Sequence, residues 1–181
     1  QVMSSNIRYI TVNTSVAPFD NELVRQAVAH AINRDDMVIA VYEGNATATN
    51  NPMHPLTAGY KEVTGYEYDV EKAKQLLVQA GYPNGFSTEI YCSSGTTQQA
   101  VASVLQAQLG EIGINAQIQS LDTATFNAGI LPGGSYPLGV MGWGGYFIGP
   151  DNAMRSIFYS TGQMNFSNLD DPYIDNLLDE A

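Results

Sequence analysis

Four short runs of β-branched and aromatic residues recur along this chain: Ile7–Asn13, Phe86–Tyr91, Ile114–Leu121 and Leu138–Met141. Each gives way to a capping side chain or polar loop and then to apolar residues at helical spacing. Strands alternating with amphipathic helices define an α/β domain, and few other folds accept that order. The first helix takes its cap from Asp20 or Asn21 and lines up Leu23, Val24, Ala27, Val28, Ala31 and Ile32 on one stripe. Asn33 caps a second helix over Arg34–Tyr42, which Gly44 stops. Asp69 caps Val70–Ala80. The polar loop Ser93–Thr97 opens a long helix that ends at Gly113, and Asp122 caps a short one through Ala128. Asp151 or Asn152 caps a helix through Tyr159, and Asp170–Ala181 opens a last one.

The fourth strand runs straight into Gly142-Trp-Gly-Gly-Tyr-Phe147. Glycines such as Gly144 and Gly145 let a backbone approach another group closely. Trp143, Tyr146 and Phe147 set flat apolar faces among them. Such a turn can line a pocket, or its rings can simply fill the core. In open α/β sheets, sites lie outside the carboxyl ends of strands. Three exits qualify here: Asn13–Ser15, Cys92–Thr97 and Gly142–Phe147. They converge on one cleft if they share an edge.

Composition narrows the chemistry. Seven basic residues against eighteen acidic ones leave a formal charge of −11. That excludes nucleic acid and anionic membrane surfaces as partners, because both require clustered Lys and Arg. Two histidines, His30 and His54, are too few for a histidine-rich metal site, and no cofactor motif is present. His30 reads as a boundary residue, and His54, on the irregular stretch Glu43–Tyr68, reads as solvated. The doublets Asp35/Asp36, Asp170/Asp171 and Asp179/Glu180 sit at helix ends, where neighbouring side chains do not face one another. With no GxSxG elbow or Walker loop either, an enzyme is not expected. Cys92 is the single cysteine, so no internal disulfide forms. The longest clean apolar run, Met37–Tyr42, is far short of a membrane span. Gln1 opens the chain without a basic segment or apolar h-region, so it reads as a processed or excised piece.

Three stretches, in order, resemble the extracytoplasmic solute-binding proteins of ABC importers in the dipeptide, oligopeptide and nickel family (family 5). They are Val24-Arg-Gln-Ala-Val-Ala-His-Ala-Ile-Asn-Arg34, preceded by Asn13 and Pro18-Phe19; Tyr68–Phe86; and Gly142-Trp-Gly-Gly with Gly149-Pro-Asp-Asn152. Glu111-Ile-Gly-Ile-Asn115 is a weaker fourth. The resemblance implies one lobe of a periplasmic-binding-protein-like (type II) fold, a mixed sheet flanked by helices. Residues 1–181 would form the C-terminal ligand-binding lobe, with the N-terminal lobe absent. It implies an extracytoplasmic protein, in the periplasm or on the cell surface as a lipoprotein, that passes a peptide or similar small solute to a membrane permease. Members that hold a peptide ammonium place an Asp at the fifth position of the Gly-Trp motif, which here is Tyr146. Dipeptide binders place an Arg at what is here, by ungapped reckoning, Cys92. With both charged clamps missing, a non-peptide solute or a backbone-held peptide is the alternative, and a sensor or docking domain without transport is another. The expected ligand-binding residues are Trp143, Gly144, Gly145, Tyr146 and Phe147, with Asn13 and Cys92 on the flanking exits. No metal or cofactor is expected.

Overall fold

The computed structural model describes residues 6–55, 57, 59–143 and 150–180, with backbone alone at 143 and 150–153. Gly144, Gly145, Tyr146 and Phe147 therefore lie outside the described residues. The expected α/β architecture holds. The strands β1 (Ile7–Val12), β2 (Ser87–Ser93), β3 (Asn115–Leu121) and β4 (Leu138–Trp143) form one mixed sheet in the order β1-β4-β2-β3. β2 runs parallel to both β3 and β4, whereas β1 lies antiparallel to β4 along the sheet edge.

Local chemistry sets the helices α1 (Glu22–Ala31), α2 (Arg34–Tyr42), α3 (Val70–Gln79), α4 (Thr96–Glu111), α5 (Thr123–Ile130), α6 (Pro150–Phe158) and α7 (Pro172–Glu180). Asn21, Asn33, Asp69 and Asp122 each accept a first-turn amide of α1, α2, α3 and α5, satisfying donors that a helix start leaves open. α6 begins at Pro150, which suits a first helical position because its missing N–H would have had no partner there. Asp151 and Asn152 therefore sit inside the first turn, and the expectation that one of them precedes the helix as its cap is corrected.

Strand parity divides the core in two. On one face, Ile90, Cys92, Leu138 and Val140 meet Val101, Leu105 and Leu109 of α4, with Phe19, Val24, Val28 and Leu77 completing the cluster. On the other, Met141 packs with Phe126 and Ile130 of α5 and with Phe166, flanked by Tyr9, Tyr91 and Tyr136. Tyr91 and Tyr136 stack in parallel, their centroids 3.6 Å apart. Gly85 and Gly113 both hold positive φ, and a Cβ on Gly85 would collide with the Gly113 carbonyl. That close approach lets the Asn115 amide donate to the Phe86 carbonyl at 2.8 Å and start the β2–β3 ladder.

The α5 cap carries a pH signature. Hydrogen bonds from the Thr125 hydroxyl and amide, then from the Ala124 amide, hold the Asp122 carboxyl below its ordinary 3.8. A lowered folded-state pKa means the cap's stabilisation is complete above about 3.8 and is lost as pH falls through the lower folded-state value. Asp122→Ala is therefore expected to melt earlier than the parent at pH 7, with the gap closing in strong acid. Thermal melts across pH check this. A gap that persists unchanged in strong acid would contradict it.

Candidate functional site

The register decides which of the three exits can meet. β1 pairs Ile7 with Trp143 and Val12 with Leu138. The carboxyl end of β1 thus lies beside the start of β4, not beside its exit. Asn13 donates its amide to the Pro137 carbonyl at 2.9 Å, six residues before Trp143, or about 20 Å along a strand. The expected convergence of Asn13 with the Gly-Trp turn is therefore corrected. The Asn13 side chain is also engaged within the fold. Its Nδ2 donates to the Gly134 carbonyl, and its Oδ1 accepts from the Ser15 amide and hydroxyl and from Asn168 Nδ2. At 2% exposed, it ties the end of β1 to the two loops beside it.

The other two exits do share an edge. β2 pairs Ile90 with Leu138 and Tyr91 with Gly139, so Ser93 reaches the level of Met141 as both strands run out together. Beyond this edge the chain departs in opposite directions. From β2 it enters α4, which packs on the Cys92 face. From β4 it returns through α6 to Met164 and Phe166, which pack on the Met141 face. Adjacent parallel strands whose connections leave on opposite faces open a crevice between them, the topological switch point where α/β sheets bind ligands.

Three elements end at that edge. Trp143 closes β4 opposite Ile7. Ser94 is exposed on the β2 exit, and its carbonyl accepts from Gln99 Nε2, which also donates to the Ser120 hydroxyl. The first turn of α4 follows Gly95, which supplies no side-chain cap, so its amides face outward with their partial positive charge. Cys92 is not part of the exit. β2 runs to Ser93, two residues past the expected end, and Cys92 lies wholly buried in the α4-side core. Burial pushes its thiol up, with a Ser120 hydrogen bond working against that shift. It is an inert core thiol.

Arg8 escaped the sequence reading. It pairs with Gly142 in the β1–β4 ladder, and its guanidinium lies over the bare Cα, where a Cβ would sit 2.8 Å from Cζ. The only sequence signal was a basic residue inside an otherwise apolar strand. His54, expected to be solvated, is 8% exposed. Around it, the stretch from Glu43 to Tyr68 helps enclose a cavity of about 490 Å³ lined by Arg34, Asp35, Asn50, Tyr60 and Tyr66 among others. Tyr68 donates to Glu111 in the last turn of α4, so this cavity lies toward the opposite end of α4 from the strand exits. Among the described residues no helix is long and apolar enough to cross a membrane.

Comparison with known proteins gives this geometry its context. The model of bacterial extracellular solute-binding proteins, family 5, middle portion, matches residues 1–165. Heme-binding protein A of Haemophilus influenzae is 35% identical over 184 residues, 97% of this chain and 34% of its own length. The glutathione-binding protein GsiB of Escherichia coli K12 is 37% identical over 158 residues, 84% of this chain and 31% of its own. The solved structure of the periplasmic binding protein DppA from Helicobacter pylori, in complex with the peptide STSA, superposes with a TM-score of 0.89 at 34% identity, covering 98% of this chain and 36% of that one. The chain spans about a third of the length of these relatives.

Proposed function

Since this chain belongs to the family 5 bacterial extracellular solute-binding proteins, we propose that it is one wall of a two-lobed trap. The trap captures a peptide or similar small solute outside the membrane and delivers it to an ABC permease. The chain supplies the C-terminal lobe, and the facing wall comes from the rest of the protein. The observation that carries this is the shared exit of β2 and β4 onto opposite faces, with Trp143 at the rim. Trp143, Tyr146 and Phe147 offer rings to the solute, and Gly144 and Gly145 offer close backbone approach. Asn13 and Cys92 act behind the wall: Asn13 braces the loops at the far end, and Cys92 packs β2 against α4. The solute engages by binding alone, and no catalytic role is proposed for the lobe.

A cavity of about 490 Å³ lies toward the other end of α4, yet the edge is the better candidate. A cleft shared between two lobes is open when one lobe stands alone, since an enclosed ligand needs most of its surface covered. A non-peptide solute is a specific second possibility. Position 146 carries Tyr where ammonium-binding members carry Asp, and a relative at 35% identity is a heme-binding protein. Native mass spectrometry of the full-length protein as purified, followed by titration with a tetrapeptide pool, glutathione and heme, tests the reading. A one-to-one complex with one of these, or with a co-purified small solute, is expected. A full-length protein that carries nothing and binds none of them would reject capture.

A further inference from the structure

Resting on that reading, we propose that Arg8 is the clamp for an anionic group of the solute, the specificity element that replaces the charged positions missing at 92 and 146. The chain has four arginines. Arg25 donates to the Phe19 and Asp20 carbonyls, Arg34 to the Tyr66 carbonyl, and Arg155 pairs with Asp179 at 2.7 Å. Arg8 is exposed and, among the described residues, holds no hydrogen bond or ion pair.

Its position is built. β1 is the edge strand, and Arg8 reaches inward from it across β4. Gly142 makes room, since any side chain there would overlap the guanidinium. The side chain lies on the Ile10 and Val140 side of the sheet, the face that α4 covers, immediately before Trp143. At a net charge of −11 the chain as a whole repels anions, so an unpaired guanidinium beside Gly142, at the exit of β4, is a local reversal of sign. Arginine's planar fork matches a carboxylate in a bidentate pair, which favours a carboxylate-bearing solute over a neutral one.

The test compares each probe with its charge-blocked partner on the full-length protein, by calorimetric titration. The pairs are tetrapeptides as free acids and C-terminal amides, glutathione and its diester, and heme and its dimethyl ester. For whichever pair binds, the parent is expected to prefer the carboxylate form, and Arg8→Gln to weaken that form about tenfold to a hundredfold. The blocked form should change less than about twofold, consistent with loss of a single charged contact. Arg8→Lys should recover part of the loss. Gly142→Ala, which displaces the flexible guanidinium without deleting its charge, should reproduce part of it. Equal weakening of both forms by Arg8→Gln, or an undiminished preference, would overturn the assignment while leaving capture intact. A parent that carries no co-purified solute and binds no member of any pair would sink capture itself, and the clamp with it.

Discussion

Phe19→Ala is expected to remove about 3–5 kcal/mol of folding stability, the range for emptying a buried phenylalanine site. The ring is fully buried between the helical layer and the start of β2. It meets Phe86 edge-on at 5.7 Å, and Phe86 in turn meets Tyr82 edge-on at 5.3 Å. Such pairs add to the apolar area that burial removes from water. The backbone around Phe19 leaves little room to collapse into the void, because its amide donates to the Val16 carbonyl and its carbonyl accepts from Arg25. Urea unfolding of the parent and the variant measures the difference. A loss below about 1 kcal/mol would place Phe19 outside the cooperative core.

The second large effect concerns binding. Trp143→Ala in the full-length protein is expected to weaken solute binding by about 2 kcal/mol or more, roughly thirtyfold, as truncating a buried aromatic anchor does. Trp143 is the last residue of β4, paired opposite Ile7, so its backbone belongs to the sheet. An anchor on a rigid element is already ordered when the solute arrives and loses little freedom on binding. Trp143→Phe keeps a ring and is expected to recover much of the affinity. Unfolding midpoints of both variants separate lost binding from lost structure. Unchanged affinity in a folded Trp143→Ala protein would show that the solute does not touch this strand end.

Local chemistry made most of the fold legible in the sequence. α2 occupies Arg34–Tyr42 as expected, because Asn33 caps it and left-handed Glu43 and Gly44 end it. α3 starts after Asp69 for the same reason. What sequence could not show was strand order. Ile7–Val12 has the composition of any half-buried strand, and nothing within it records that it runs against its neighbour. That single antiparallel pairing sends Asn13 to the far edge, away from the other two exits. Cys92 was misjudged because Ser93 is a weak strand former, and pairing with β3, not propensity, extends β2 through it. Gly85 and Gly113 were legible as turn residues, but their contact across 28 positions was not. Arg8 became a candidate only when the ladder set it over Gly142.

The central claim is that solute sits at the shared exit of β2 and β4. A crystal structure of the full-length protein with its solute bound tests it most directly. Contacts from residues 94–97 and 142–147, with the Arg8 guanidinium against an anionic group and none from 13–15, are the predicted result. A solute held instead in the cavity under residues 43–68, or at the Asn13 end of the sheet, would contradict it.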